Sequence, residues 1–420
     1  MTFLSTRGQA PTISLRAAVT AGLAPDGGLY VPEAMPRIDL ASGPAPLRRE
    51  TDIQTIARAV VGAFGGNDTG AAVDAAFSWP LPLIDIGRDT AVLELYWGPS
   101  AAFKDFGAQF LGAYMSEQRS QRLAVLVATS GDTGGAVAAA FHGKPDTDVY
   151  VLYPKGRVSA RQEQQLTCWG DNVTAIAVRG TFDSCQRLVK QAFGDPAFTR
   201  DRALTSANSI NIGRLLPQVA YHAVASLHYL QRHGQEAGFI VPTGNVGNAL
   251  ACLWAQEMGF PIREVVLVTN ANRTILDYRD TGTWQPRDAI ATLANAMDVG
   301  APSNMERLFH LMPEAERFAA SIPVFSVADE TIRRVIADGE RDWGRVFDPH
   351  TACAMAAREQ LSRGHWVVAA TAHPAKFETV VEPLVGHAVE LPPALAELMD
   401  RPTEHQEIAP DLDELRLLAC

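Results

Sequence analysis

Leu123-Ala-Val-Leu-Val-Ala-Thr-Ser-Gly-Asp-Thr-Gly-Gly135 is the stretch on which the reading of the fold turns. The apolar run Leu123–Ala128 is strand length and is bounded by turn residues. A Gly-rich loop follows, and then an Ala-rich segment that reads as a helix. The same order of strand, loop and helix recurs on both sides. Upstream, Ala91–Tyr96 reads as a strand leading into a helix over Phe103–Glu117. Downstream, Val149–Tyr153 and Val173–Val178 read as strands, and Thr181 is a candidate N-cap for another helix. A long helix is predicted over Ile212–Arg232. Phe239–Val241 then leads through a Gly-containing loop into a helix ending at Glu257, and Val265–Val268 and Trp366–Ala370 are later strands. Strands alternating with helices predict an α/β fold with doubly wound parallel sheets. Ahead of this region, helical stretches at Ser14–Ala21 and Thr51–Phe64 flank a turn-rich segment, Ala24 to Pro32, and Trp79-Pro-Leu-Pro82 reads as a linker. The expected organisation is a small N-terminal domain over 1–82, an α/β domain over 83–235 and a second over 236–420.

Composition narrows the function. The chain has 420 residues, 47% hydrophobic and 20% charged, with a formal net charge of -11. This is ample for a packed core and excludes disorder as the main state. The acidic balance argues against nucleic acid as the principal partner. The five cysteines are odd in number and form no CxxC, which disfavours a disulfide framework or a zinc site and fits a reducing compartment. His222 and His228 lack the i, i+4 spacing of a metal pair, so no metal is expected. Trp254 and Met258 read as core. Met1–Ala10 has no apolar segment of a secretory signal, and no run reaches a membrane span. The expectation is a cytoplasmic protein with no membrane partner. Lysine is scarce: Lys104, Lys144, Lys155, Lys190 and Lys376 are all there are. Any chemistry that needs an amine has five candidates.

Four segments could carry chemistry. In Gly98-Pro-Ser-Ala-Ala-Phe-Lys-Asp-Phe106, Lys104 falls in the first turn of a helix, just beyond the carboxyl end of a strand, where ligands bind in open α/β sheets. The positive end of the helix dipole disfavours an ammonium and favours the neutral amine that a Schiff base needs. A solvated surface lysine is the plain alternative, weakened by the apolar neighbours. Thr243-Gly-Asn-Val-Gly-Asn248 also lies between strand and helix. Its backbone N–H groups can hold a phosphate, and Gly244 and Gly247 permit close approach. It lacks the Walker and GxGxxG patterns, so it suits one phosphate monoester; a tight βα turn would look the same. Ser130-Gly-Asp-Thr-Gly-Gly135 offers hydroxyls and backbone donors for a carboxylate or second phosphate, or simply an N-capped helix. In Ala370-Thr-Ala-His-Pro-Ala-Lys-Phe377, Thr371 could present a hydroxyl to a heterocycle nitrogen, while His373 and Lys376 are as readily structural.

Taken together and in this order, these four motifs resemble the threonine synthase family, pyridoxal-phosphate (PLP) enzymes of the tryptophan synthase β type, fold type II. The resemblance extends to Ser5-Thr-Arg-Gly8, Gly22–Glu33, Tyr153-Pro-Lys-Gly156, Asn208-Ser-Ile-Asn211, Thr269–Asn272, Ala301–Arg307 and Asp348-Pro-His-Thr351, and so to nearly the whole chain. It implies that Lys104 carries PLP as a Schiff base, that Gly244, Asn245, Val246, Gly247 and Asn248 hold the PLP phosphate, and that Thr371 faces the pyridine nitrogen. The implied substrate is O-phospho-L-homoserine, converted with water to L-threonine and phosphate by γ-elimination and β-addition, with Lys104 moving the protons. Ser100, Ser130, Asp132 and Thr133 are the candidates near substrate carboxylate or cofactor. Arg7, Lys155, Arg157, Asn211 and Arg214 are those for the substrate phosphate. The implied state is a monomer or homodimer. Two departures bear on substrate identity. Trp97-Gly-Pro-Ser-Ala-Ala-Phe103 stands where the family reads His-Gly-Pro-Thr-Leu-Ala-Phe, so Trp97 and Ala101 are expected to alter the lining, and Phe377 is followed by Glu-Thr without the expected proline. The alternatives are a PLP enzyme acting on another γ-substituted amino acid and a non-catalytic anion-binding protein on the same scaffold.

Overall fold

Three sheets organise the chain. A computed structural model describes residues 1–40, 52–117, 122–129, 131–200 and 202–419. The N-terminal unit is built on a small antiparallel sheet of Ile13–Ser14, Thr2–Ser5 and Tyr30–Pro32, in that order. Ser14 caps the helix Leu15–Ala21 by accepting from the Ala17 N–H, and Asp52 caps Ile53–Gly65 in the same way through Thr55. The expected start at Thr51 lies outside the described residues.

The second sheet runs in the order Gln406–Ile408, Val173–Val178, Thr147–Pro154, Leu123–Ala128, Ala203–Ser206, all parallel. Leu123–Ala128 is buried at every position, as expected of a central strand covered by helices on both faces. The third sheet runs Val324–Ser326, Ile262–Thr269, Ala237–Pro242, Trp366–Ala370, Thr90–Glu94, Leu83–Gly87. It is parallel except for the last strand, which forms a hairpin with Thr90–Glu94. The α/β architecture with parallel sheets is therefore as expected. The sheets do not follow chain order, however. Leu83–Gly87 and Thr90–Glu94 belong to the sheet otherwise built after residue 236, and Gln406–Ile408 closes the edge of the sheet built before it. Boundaries at 82/83 and 235/236 thus do not separate the two sheets. A parallel strand pairs with whatever edge a crossover delivers, and sequence pattern does not encode that edge.

The helix Lys104–Glu117 lies between the N-terminal unit and the rest. The Phe106 ring sits 5.1 Å from Phe77, 5.1 Å from Trp79 and 5.2 Å from Tyr221 (centroid to centroid), so Trp79 is a packing residue and not merely part of a linker. Thr181 caps Phe182–Phe193 in a capping box with Ser184. The helix Ile212–His233 is buried along most of its length. No helix among the described residues is long and apolar enough to cross a membrane.

Candidate active site

Pairing between two loops sets the first corner of the site. The Phe103 N–H donates to the Thr371 carbonyl (2.8 Å) and the His373 N–H to the Ala101 carbonyl (3.0 Å). Ala101 adopts φ 54°, a left-handed conformation costly for a residue with a Cβ. This turn sets Lys104 at the head of its helix, opposite Thr371, and both line a cavity of about 310 Å³ to which the carboxyl ends of strands in the second and third sheets contribute. The Lys104 side chain is 15% exposed. Burial pushes its amine down to about 8, Asp132 opposes the shift, and Lys376 and Arg214 reinforce it.

Asp132 opens the helix Asp132–Phe141 and faces two lysines. Its Oδ2 lies 3.8 Å from Lys104 Nζ, while its Oδ1 lies 2.8 Å from the fully buried Lys376 Nζ and 3.2 Å from Gln162 Nε2. Lys376 also donates to the Ser100 carbonyl at 2.7 Å. Burial drives the Asp132 carboxyl up, but the Lys376 and Lys104 ammoniums together outweigh burial and hold it well below the usual carboxylate range.

The second corner is the loop Thr243–Asn248, every residue of which lines the cavity. Val246 takes φ 65° and precedes the helix Gly247–Glu257 with no side-chain cap, so the first N–H groups of that helix remain free for an anion. Gly244 is required by space: a Cβ would stand 2.7 Å from Met297 Cα and 3.2 Å from the Ala296 carbonyl oxygen. Asn245 braces the loop, its Nδ2 donating to Ser209 Oγ (2.6 Å) and its Oδ1 accepting from the Ser303 N–H (2.5 Å). Asn248 Oδ1 accepts from Tyr221 Oη (2.6 Å) and from His222 Nε2 (2.9 Å), leaving its Nδ2 buried without a partner at the cavity wall. Burial pushes the His222 imidazole down to about 4, so it is neutral and donates through Nε2.

The third corner is cationic. Arg214 lines the cavity, fully enclosed, with Nη1 donating to the Ala207 carbonyl and Nη2 to the Lys104 carbonyl (3.3 Å). Burial pushes its guanidinium down to about 10, and no carboxylate among the described residues lies within ion-pair distance of it. Asn208 and Ser209 line the cavity beside it. Below them Arg307, fully buried, donates to the carbonyls of Tyr30 (3.0 Å), Ser209 (3.1 Å) and Ile210 (2.6 Å) and to Asn304 Oδ1 (2.6 Å). The strand Tyr30–Pro32 is thus fastened to the loop that carries Asn208 and Ser209.

Several expected contacts lie elsewhere. Lys155 is half exposed and paired with Glu407, and Arg7 is paired with Glu306. Arg157 is exposed. Asn211 is buried, but it donates to the carbonyls of Val19 and Ser206 and caps Gly213, so it fixes the helix start instead of meeting a ligand. Ser100 is buried behind the site; its backbone N–H donates to Asp105 and its carbonyl serves Lys376 and Gln165. None of these five lines the cavity. Thr133 does; Ser130 lies outside the described residues. Asp132, as the anion between two lysines, is unsuited to receive a substrate carboxylate. Trp97 and Ala101 do not change the lining: Trp97 Nε1 donates to Glu94 (2.7 Å) and the ring packs near Tyr96 and His373. Sequence reasoning passes over Asn208, Ser209 and His350 as individual residues, although the motifs that contain them are visible. It gives no signal for the wall formed by 287–289 and 296–300.

An uncapped helix start, a Gly244 cradle, an unpartnered Asn248 amide and a buried amine of lowered basicity together fit a phosphorylated aldehyde cofactor. Fold and site define a pyridoxal-phosphate-dependent enzyme, and the family model described as "Pyridoxal-phosphate dependent enzyme" matches residues 86–371. The models described as "Threonine synthase N terminus" and "Threonine synthase, C-terminal" match residues 2–72 and 351–418. The threonine synthase of Escherichia coli (strain K12) is 37% identical over 414 residues, covering 97% of this chain and 96% of that protein. The structure of PLP-bound threonine synthase from Brucella melitensis superposes with a TM-score of 0.92 at 33% identity, covering 100% of this chain and 98% of the other. That of threonine synthase from Escherichia coli gives a TM-score of 0.90 at 35% identity, covering 100% and 99%. The chain belongs to the threonine synthase family, and its cofactor is pyridoxal 5′-phosphate.

Proposed function

We propose that the chain converts O-phospho-L-homoserine and water to L-threonine and phosphate, acting on a small molecule in the cytoplasm. The observation that carries this reading is that one cavity joins a lysine of lowered basicity to two distinct anion-binding corners. The neutral donors of Gly244, Asn245, Val246, Gly247 and Asn248 suit the cofactor phosphate. The Arg214 guanidinium, with donors to spare, suits a second phosphate on the substrate, aided by Asn208 and Ser209. When bound, the cofactor supplies a carbonyl for the substrate amine and a ring that takes up negative charge. Lys104 would hold that carbonyl, and it is placed to hold or release a proton near neutral pH, as a base at the substrate Cα must. Thr371, at the cavity wall, would offer a hydroxyl to the pyridine nitrogen, and a neutral partner there would moderate charge uptake. Thr133 is the candidate for the substrate carboxylate, with Asp132 and Lys376 set behind Lys104.

The test is product analysis of the holoenzyme with O-phospho-L-homoserine by phosphorus and proton NMR. Phosphate and L-threonine are expected in equal amounts. Phosphate without threonine would replace the reading with an eliminating lyase, and no turnover would direct the search to other γ-substituted amino acids.

A further inference from the structure

Three charged side chains from three elements meet at the cavity wall, and the one set behind it has no part in the proposed reaction. Lys376 lies in the single helical turn Pro374–Phe377 and is fully buried. It spends its charge on Asp132 Oδ1 (2.8 Å) and the Ser100 carbonyl (2.7 Å). Its turn is pinned from outside, since Ser159 Oγ donates to the Lys376 carbonyl at 3.1 Å. Lys104 reaches the same carboxylate only at 3.8 Å. Two ammoniums therefore share one anion, and the contact-distance partner is the lysine that cannot reach solvent. When both are protonated the cluster carries one proton in excess of its single negative charge. The more weakly held amine is the one that gives it up.

We propose that Lys376 is a positioning residue which, by claiming Asp132, keeps Lys104 from being locked into a full ion pair and so leaves Lys104 the reactive amine of the site. This rests on the reading of Lys104 as the Schiff-base lysine. The other charged groups facing the cluster do not change the assignment. Arg214, from the helix Ile212–His233, adds positive charge beside Lys104 and acts in the same sense. His350, from the helix Pro349–Gln360, is engaged with Asp348 Oδ1 (2.8 Å) and accepts from the Ala296 N–H (3.1 Å). Asp105, next to Lys104 in the chain, turns its carboxylate to the Ser100 N–H (2.9 Å). A buried lysine kept only to neutralise a buried aspartate would serve packing. One that also competes with a second lysine sets which amine loses its proton.

The test reads the proton on Lys104 directly. Apoprotein is mixed with PLP, and the rate of appearance of the Schiff-base absorbance is followed from pH 6 to 10; its midpoint reports the neutral amine. With Lys376→Met or the hydrogen-bonding Lys376→Gln, Lys104 is left as the one ammonium facing the Asp132 carboxylate. The midpoint should rise by about one pH unit or more, and capture at pH 7 should slow about tenfold. Lys376→Arg, which keeps the charge, should restore a near-wild-type midpoint. Gln is included because it can keep both contacts of the lysine if the Met variant does not fold. An unchanged or lowered midpoint in a folded Met or Gln variant overturns the proposal, as does an Arg variant that behaves like Met. Lys104→Ala separates the two levels: if it still forms a borohydride-reducible band, the Schiff-base reading itself fails. If that band is lost while Lys376→Gln leaves the midpoint in place, only the role of Lys376 fails.

Discussion

The two ends of the site present polar groups to the same cavity by opposite means. The Thr243–Asn248 corner uses neutral donors: free helix N–H groups, a left-handed Val246 and an amide whose other end is occupied by Tyr221 and His222. No lysine or arginine stands within that loop. The Lys104 corner is built of full charges, Lys104, Asp132 and Lys376. Neutral donors hold a phosphate over a wide pH range. A cluster of shared charges makes the proton itself the variable. Binding is thus made insensitive to pH at one end and chemistry sensitive to it at the other.

The largest expected effect breaks the charged end. Lys104→Ala should remove the Schiff-base absorbance and lower turnover by at least about a thousandfold, read by spectrum and by phosphate release. At the neutral end, Gly244→Val should weaken PLP retention by about tenfold to a hundredfold, because the new side chain meets the backbone at Met297. Equilibrium dialysis of the cofactor would show it. Asn248→Ala removes one donor to a charged acceptor and should weaken retention about tenfold, with the pH midpoint of Lys104 unmoved. A shifted midpoint would mean that the two corners are coupled and that the contrast between them fails.

The smallest effect concerns His222. Its imidazole is buried and neutral in the fold, with its basicity lowered to about 4 from an ordinary 6.5. Its contribution to stability is complete above about pH 6.5. It falls as the pH drops from there toward about 4, because the unfolded chain then binds a proton the folded one refuses. His373, also lowered to about 4 by burial, adds in the same direction. Within that window each such histidine should cost up to about 1.4 kcal/mol of stability for every pH unit of acidification, seen as a declining melting temperature. His222→Phe should flatten the decline and leave cofactor retention slightly weaker, since Asn248 Oδ1 keeps Tyr221.

The difference between the corners also explains what could be read in advance. The Thr243–Asn248 loop is local: a strand, two glycines and a helix start lie within one short segment, so its position at a sheet edge was legible. Lys104 was legible from scarcity and from its place at a helix head. The partners of charged residues were not. Lys155 and Arg157 stand in one of the family motifs but point to Glu407 or to solvent, and only the tertiary fold decides that. Asn211 looked like a ligand and is a cap. Lys376 read as an ambiguous cation because its anion, Asp132, sits far away in the chain. Strand positions were largely visible from apolar runs, whereas the short strands Ala203–Ser206, Val324–Ser326 and Gln406–Ile408, and the order of strands in each sheet, were not.

That strand order has a consequence for how the molecule is made. Thr90–Glu94, which leads to Lys104, pairs on one side with its own hairpin partner and on the other only with Trp366–Ala370. An isolated two-stranded hairpin is marginal in water. On a ribosome, the lysine's strand must therefore wait for nearly the whole chain to emerge before it gains its second neighbour, and Gln406–Ile408 completes the other sheet later still. Contacts so distant in sequence are closed slowly. Translation products truncated before Trp366 would carry Lys104 and every residue of the Thr243–Asn248 loop, yet lack the strand that joins Thr90–Glu94 to Ala237–Pro242.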